Sequence, residues 1–197
     1  MEIDEINFAD TDQELWVRFR RGEELAYTKL MNRYARPMYN YGYRFCQNSD
    51  LIRDCVQEVF LELWKKRSKV NSTPSVKWYL FKSLRLRIFR DQSKWQRNEP
   101  LDDNYNFLVE FNIESRLIEA ADVQELSSKI KDALNNLPPR QCEILYLRFY
   151  EDLNYEQISD LMGITRQSVH NLLQKAFKSF RAQWTIFLLM PLFVFCR

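Results

Sequence analysis

Glycine is scarce in this sequence, with only three glycines among 197 residues. Glycine-rich loops that cradle phosphates and tight β-hairpins both need positive φ angles, which glycine adopts most readily. Runs of β-branched residues are also few. These shortages exclude a glycine-rich nucleotide-binding loop and predict an all-α fold. The length leaves room for one or two small domains with real cores.

Histidine and paired cysteines are equally scarce. The chain has one histidine and four cysteines, and no two cysteines form a C-x-x-C pair. Zinc sites need several such ligands at short spacing, so we expect no metal and no cofactor. We expect the thiols to be reduced and the protein to be cytoplasmic.

One strongly apolar stretch, residues 184–196 (WTIFLLMPLFVFC), is shorter than the ~20 residues that a membrane span needs, and it contains a proline. Two interpretations of this tail remain open. It packs on the last domain or on a partner, or it anchors the chain at a membrane surface. The N-terminus, MEIDEINFADTDQE, is acidic and has no apolar run, so we expect no signal peptide.

A formal net charge of +2 conceals charges that are strongly segregated. Residues 65–97 contain eleven Lys or Arg against one acid, Asp91, whereas residues 99–125 contain eight acids against Arg116 alone. An ordinary solvated surface mixes both signs. The pattern therefore indicates a polyanion-binding surface beside an acidic segment, with a solvated charged face as the alternative.

Helical periodicity divides the chain into two domains joined by a linker. Apolar residues recur at helical spacing along residues 15–45, with expected interruptions at Gly22 and Pro37. We expect Asp50 to cap a long helix and Thr73-Pro74 to open the next. The predicted organisation is an N-terminal domain at 10–97, an acidic linker at 98–122, a C-terminal domain at 123–184 and the apolar tail at 185–197.

The segment NYEQISDLMGITRQSVHNLLQKAFKSF, residues 154–180, predicts two short helices joined at Gly163. Thr165 is a good N-cap for the second helix. That helix has one apolar stripe, at Val169, Leu172, Leu173, Ala176, Phe177 and Phe180. Its opposite face carries amides, an imidazole and cations, and no carboxylate occurs in residues 166–180. Such side chains suit base edges in the major groove, which favours a DNA-binding helix-turn-helix over an ordinary helical pair.

Aromatic side chains interleave with cations in KWYLFKSLRLRIFRDQSKWQR, residues 77–97. A duplex backbone needs only the cations, whereas aromatic faces add platforms for unstacked bases, each worth roughly 1–3 kcal/mol. Core spacing assigns four apolar residues to the interior, namely Leu80, Phe81, Leu84 and Ile88. We expect Trp78, Tyr79 and the cations to form the exposed set.

The helix DLIRDCVQEVFLELWKK, residues 50–66, presents a third surface. Its predicted inner stripe is Ile52, Cys55, Val56, Val59, Phe60 and Leu63. Leu61 is then expected outside, framed by acids and an amide. An exposed leucine in such a frame indicates a docking face for a partner helix, with a solvated face as the alternative.

Two of these segments resemble parts of a known family. DCVQEVFLELW resembles the helix with which bacterial RNA polymerase sigma factors bind the polymerase clamp. LPPRQCEILYLRFYEDLNYEQISDLMGITRQSVHNLLQKAFKSFR resembles their promoter-binding helix-turn-helix. Two such domains with a short linker look like the extracytoplasmic-function (ECF) group.

The resemblance implies a protein that binds core RNA polymerase and directs promoter-specific transcription initiation, with no catalysis of its own. The implied partners are the β′ clamp and β flap of core polymerase, promoter DNA in duplex and single-stranded form, and an anti-sigma factor. No small-molecule substrate is implied.

The resemblance also implies roles for particular residues. The core-polymerase-binding set is Asp54, Gln57, Glu58, Leu61 and Glu62. The minus-ten set, which recognises and melts that promoter element, is Lys77, Trp78, Tyr79, Lys82, Arg85, Arg87, Arg90 and Lys94. The minus-thirty-five set is Arg166, Gln167, Ser168, His170, Asn171, Gln174, Lys175 and Lys178. The family often has Asn where this chain has Leu86 and Asp where it has Arg90, so we expect a diverged minus-ten sequence.

Two other classes remain as alternatives. A helix-turn-helix regulator that acts on duplex DNA without core polymerase would need neither the docking face on residues 50–66 nor the basic aromatic stretch. A nucleic-acid enzyme would need clustered carboxylates near the basic surface, where Asp91 is the only acid. We therefore expect no enzyme.

Overall fold

The computed structural model describes the backbone of residues 10–95, 105–108 and 121–194, and the side chains of residues 10–91, 105–108 and 128–183. All regular structure in these ranges is helical, as predicted. The helices are α1 (Asp12–Arg20), α2 (Glu24–Tyr43), α3 (Ser49–Lys66), α4 (Val76–Trp95), α5 (Ala121–Asn135), α6 (Pro139–Leu145), α7 (Tyr155–Met162) and α8 (Arg166–Val194), with a π-helical turn at Tyr146–Tyr150. Contacts divide the chain into two compact units, the first built from α1–α4 and the second from α5–α8. The segment Arg44–Gln47 groups with the second unit.

An aromatic and aliphatic core holds α1–α4 together. The predicted inner stripe of α3 is buried throughout, and so are the four residues of α4 that core spacing assigned to the interior. Trp16 and Phe19 of α1 are fully buried with their ring centroids 5.3 Å apart, and Tyr41 of α2 stacks on Phe81 of α4 at 5.0 Å. This core fixes α3 beside α4, so that the polar faces of both helices belong to one rigid support.

Gly42 allows α2 to approach its neighbours closely. A Cβ atom at this position would lie 2.9 Å from Cγ2 of Ile52 and 3.2 Å from Cδ1 of Ile88. The first distance is shorter than van der Waals contact allows, so a larger residue would fit only if the Ile52 side chain shifted.

The expected interruption of the second helix at Pro37 is wrong, because α2 continues through it. Proline removes one backbone hydrogen bond and disfavours a helix interior. Here Tyr34, Met38 and Tyr41 lie on both sides of the proline and are all buried on the same face. Burial of that face outweighs the local cost of the proline.

Two helix starts differ from the prediction by a residue or two. Asn48, rather than Asp50, caps α3, because its side-chain oxygen accepts the backbone N–H groups of Asp50 and Leu51 at 3.2 and 3.1 Å. The carboxylate of Asp50 instead pairs with Arg53 at 2.8 Å. At the start of α4, the hydroxyl of Ser75 accepts the backbone N–H of Trp78 at 3.2 Å.

The second unit contains the predicted helical breaks. Asn154 and Gln157 form a reciprocal capping box at the start of α7, with both hydrogen bonds at 2.9 Å. Gly163 ends α7 with φ of 67°, a left-handed conformation that favours glycine. Thr165 caps α8, as predicted, by accepting the backbone N–H of Ser168 at 3.1 Å.

The linker and the tail are described only in part. Residues 105–108 are not helical, Phe107 is buried, and the Tyr105 hydroxyl donates to the buried carboxylate of Glu143. The α8 backbone stays helical to Val194, ten residues past the predicted end of the C-terminal domain. The tail side chains lie outside the described residues. Among the described helices, none is both long enough and apolar enough to cross a bilayer.

Candidate nucleic-acid interface

The outer face of α3 has the composition that the sequence predicts for a docking surface. Asp54 and Gln57 are exposed, and Glu58 and Glu62 are half-buried. Leu61 is 48% exposed, which confirms that this leucine lies outside the core. The face therefore offers an apolar centre inside a rim of acids and one amide.

Arg87 of α4 ties this face to the neighbouring helix. Its guanidinium lies 3.0 Å from the Asp91 carboxylate, 3.1 Å from Glu62 and 3.7 Å from Glu58. The Arg87 side chain is only 21% exposed. Arg87 was predicted to bind minus-ten DNA, but the structure directs it at three carboxylates. Two of these carboxylates belong to the predicted polymerase-binding set.

The carboxylates around Arg87 have distinct second partners. Lys66 donates to Glu62 at 3.2 Å, and this hydrogen bond, opposed by partial burial and aided by the charge of Arg87, lowers the pKa of Glu62. Asp91 accepts from the Cys55 thiol at 3.7 Å. Burial, together with the charge of Asp91, raises the pKa of Cys55 to about 12, so the thiol stays neutral. The network joins α3 and α4 at their polar edges.

Trp78 and Tyr79 were predicted to be exposed, but both are half-buried. The Tyr79 ring meets the edge of Trp16 with centroids 5.2 Å apart, and burial raises the pKa of Tyr79. Lys82 lies over the Trp78 ring, with Nζ 5.4 Å from the ring centroid. The buried indole nitrogen of Trp78 has no hydrogen-bond partner among the described residues.

The remaining predicted minus-ten cations are distributed along α4. Arg85 stacks over the Phe89 ring at 4.6 Å, Lys77 lies 5.9 Å from the Phe81 ring centroid, and Arg90 is exposed. The side chain of Lys94 lies outside the described residues.

Pattern reading missed a groove between α3 and α4. Its volume is about 160 Å³. It is lined by residues of both helices, including Glu62, Lys66, Tyr79, Ser83, Leu86 and Arg90. The spacing of Tyr79, Ser83, Leu86 and Arg90 by three or four residues is the signal that places them on one side of α4.

The predicted minus-thirty-five residues form one surface on α8. All eight side chains, from Arg166 to Lys178, are exposed. Val169, Leu173 and Ala176 are buried on the opposite side, as the apolar stripe predicts. Phe177 is the exception, since it is 41% exposed. The helix therefore presents amides, hydroxyl, imidazole and cations together.

Hydrogen bonds along α8 connect these side chains. Gln167 Nε2 donates to Asn171 Oδ1 at 3.1 Å, and the nearest nitrogens of Gln174 and His170 are 3.5 Å apart. At the helix start, the Arg166 guanidinium pairs with Glu156 of α7 at 2.5 Å. The first cation of the surface is thus partly neutralised by the preceding helix.

An apolar groove in the second unit was also missed. It has a volume of about 240 Å³ and lies between α6, the π-helical turn and α8. Its walls include Leu145, Phe149, Phe177 and Phe180, and the buried Cys142 also lines it. Phe149 is 62% exposed and its ring centroid lies 5.6 Å from that of Phe177. Within the described residues, no cluster of His, Cys, Asp or Glu is suited to hold a metal ion.

Comparison with known families matches each unit separately. The family described as sigma-70 region 2 matches residues 30–97, and sigma-70 region 4 matches residues 133–182. Together the two matches span more than half of the chain.

Two curated relatives match this chain over most of their own length. The RNA polymerase sigma factor SigV of Bacillus subtilis is 26% identical over 152 residues, which cover 77% of this chain and 87% of the relative. The ECF RNA polymerase sigma-E factor of Haemophilus influenzae is 25% identical over 175 residues, covering 84% and 91%.

Two solved structures share the fold. CnrH, in a complex with the cytosolic domain of CnrY, aligns with a TM-score of 0.58 and 15% identity, covering 90% of this chain and 99% of CnrH. The sigma factor RpoE of Bartonella quintana, in complex with the anti-sigma factor NepR, aligns with a TM-score of 0.57 and 14% identity, covering 81% and 97%.

Proposed function

Since this chain belongs to the sigma-70 family of RNA polymerase sigma factors, in its ECF group, we propose that it initiates transcription through three separate surfaces. Members of this family bind core RNA polymerase and promoter DNA and direct initiation at specific promoters, and that is the function of this chain.

The α3 face binds the polymerase clamp. Leu61 supplies the apolar contact at the centre, and Asp54 and Gln57 supply the polar rim. Arg87 of α4 holds Glu58 and Glu62 in position through ion pairs. Arg87 is therefore a positioning residue for the polymerase contact.

The α4 surface binds unstacked bases of the minus-ten element. Lys82 and Arg85 lie over aromatic rings, so cations and π faces are presented together. Opening the duplex costs a few kcal/mol for each disrupted step, and stacking and cation contacts offset this cost. Trp78 is the aromatic residue best placed for this role, since Tyr79 is committed to Trp16.

The α8 surface binds the duplex minus-thirty-five element. Its exposed amides and cations face outward from a helix-turn-helix whose turn is set by Gly163 and the Thr165 cap. Base edges in the major groove present both donors and acceptors, and amide side chains match them. The lysines add phosphate contacts that are independent of sequence.

The remaining contacts involve the β flap, the linker and an anti-sigma factor. The apolar groove beside Phe149 and Phe177 is where an apolar segment of the β flap binds. The acidic linker, residues 98–122, occupies a channel of the polymerase that otherwise holds nucleic acid.

An anti-sigma factor regulates the protein, since two structures of the same fold were solved in complexes and one names its partner as an anti-sigma factor. The chain acts in the cytoplasm and catalyses no reaction.

The observation that carries the assignment is the occurrence of two unlike surfaces in one chain. A regulator of duplex DNA needs the carboxylate-free face of α8 but has no use for an exposed leucine framed by acids on α3. Both surfaces are present. Their combination fits a protein that joins polymerase to DNA.

Run-off transcription with purified core polymerase tests the assignment. The wild-type chain is expected to produce transcripts from a pool of promoter fragments, and a Gln57→Ala, Leu61→Ala double variant is expected to lose them while still binding duplex DNA. Asn32→Ala, an exposed amide on α2, is the matched control and should behave as wild type. If the double variant transcribes normally, the clamp-binding assignment of α3 is wrong.

A further inference from the structure

The exposed amides at the start of α8 are not equivalent. Gln167 Nε2 uses one of its two N–H groups to donate to Asn171 Oδ1 at 3.1 Å. The second N–H and the Oε1 acceptor of Gln167 have no other partner among the described residues. Gln167 therefore keeps one N–H donor and its carbonyl acceptor on a single amide group, and one hydrogen bond to Asn171 restrains that amide.

A donor and an acceptor side by side match adenine. In the major groove adenine presents the N7 acceptor beside the N6 amino donor, and a glutamine amide pairs with both at once. Guanine presents two acceptors at the same positions, which an amide oxygen cannot satisfy. The retained donor and acceptor of Gln167 thus favour adenine and oppose guanine.

The position of Gln167 in the helix places it among the residues that reach base edges. It is the second residue of α8, and the N-terminal residues of a recognition helix are those that contact bases. The neighbouring Arg166, whose guanidinium would suit guanine, pairs with Glu156 at 2.5 Å. The amide of Gln167 is therefore the better base-reading group at this end of the helix.

We infer that Gln167 selects an adenine in the minus-thirty-five element and that Asn171 is the positioning residue that orients the Gln167 amide. This inference rests on the proposed binding of α8 to that element. It assigns a base preference to one side chain and a supporting role to the other.

The test is selection from a promoter library randomised across the minus-thirty-five element, using the full-length chain with core polymerase. The wild type is expected to favour adenine at one position by roughly 5- to 150-fold, the range that a good bidentate contact provides. Gln167→Ala is expected to remove that preference while leaving the other selected positions in place. Asn40→Ala, an exposed amide on α2, is the matched control and should select the wild-type sequence.

Two variants at position 171 distinguish a role of Asn171 in orienting Gln167 from a direct contact of Asn171 with DNA. Asn171→Ala removes the acceptor that holds Gln167, so the adenine preference should weaken even though Gln167 is present. Asn171→Asp keeps the acceptor and adds a negative charge. It should lower affinity for all sequences alike while retaining the preference, an outcome that a simple contact of Asn171 with DNA would not produce.

The outcomes are distinguishable. If the wild type selects a minus-thirty-five motif without adenine, or if Gln167→Ala still prefers adenine, the inference is overturned and the proposed function stands. If the wild type selects no motif in that region at all, the proposed binding of α8 fails, and the inference fails with it.

Discussion

The polar faces of α4 and α8 differ in how their cations are held. On α4, Arg87 is held by three carboxylates, and Lys82 and Arg85 lie over aromatic rings of the same helix. On α8, the cation of Arg166 pairs with one carboxylate from the preceding helix. The uncharged Gln167 bonds to Asn171 along the helix. Within the described residues, Lys175 and Lys178 make no ion pair.

This difference distinguishes the polar edge of α4, which contributes to the stability of the fold, from the polar face of α8, which does not. The polar edge of α4 is part of the junction with α3, so a change there alters packing and binding together. The polar face of α8 lies opposite its buried stripe, so a change there alters binding alone. The comparison can be tested by substitutions in both helices.

The largest expected effect comes from matched phenylalanines. Phe81 of α4 is fully buried, whereas Phe177 of α8 is 41% exposed. Phe81→Ala should destabilise the first unit by about 3–5 kcal/mol, and Phe177→Ala the second unit by less than about 1 kcal/mol. Urea denaturation monitored by tryptophan fluorescence reports on the first unit, which contains four of the five tryptophans, and circular dichroism reports on both. Equal losses would contradict the contrast.

The next effect concerns the junction of α3 and α4. Arg87→Ala leaves three carboxylates without their shared cation, and we expect a loss of about 1–2 kcal/mol together with weaker binding to core polymerase. Lys178→Ala, an exposed cation on α8, is the control and should change stability by no more than about 0.5 kcal/mol. Exchanging the charges, with Arg87→Glu and Glu62→Arg in one chain, should restore part of the loss. No recovery would show that Arg87 and Glu62 do not act as a pair.

A smaller effect should follow from freeing the paired cation of α8. Glu156→Gln removes the ion pair with Arg166, whose side chains are 64% and 72% exposed. Exposed pairs add little stability, so the unfolding free energy should change by less than about 0.5 kcal/mol. Duplex DNA affinity should rise several-fold, and its dependence on salt should steepen by about one counterion because Arg166 gains access to a phosphate. Unchanged salt dependence would mean that Arg166 does not reach the DNA.

The smallest effect is the response of the two units to acid. Four described carboxyls have a lowered pKa, and all belong to the first unit, namely Asp10, Glu14, Glu23 and Glu62. A lowered folded-state pKa adds stability above the unfolded value, near 4, and this stability is lost as the pH falls through the folded value. Between pH 6 and 3, the first unit should therefore lose stability more steeply than the second. Glu14→Gln, which removes the charge bonded to Thr11, should flatten this slope.

Several features were predictable because local periodicity and capping chemistry specify them. The inner stripe of α3, the exposed set on α8 and the Gly163 turn all follow from side-chain spacing within one element or from backbone preference. The continuation of α2 through Pro37 was not predictable, since the outcome depended on how much apolar surface the rest of the unit buried against that helix. The partial burial of Tyr79 was not predictable either, because it depends on a contact with Trp16, more than sixty residues earlier in the chain.

By itself the sequence determined the helical class, the order of the surfaces and the absence of acids on the recognition helix, because each depends on residues that are close in sequence. Only the tertiary structure decided what Arg87 binds. Three carboxylates from two helices compete for its guanidinium with any DNA phosphate, and their distances exist only after α3 and α4 pack. A charge count along the chain records the cation but not its partner, because charge interactions depend on separation in space.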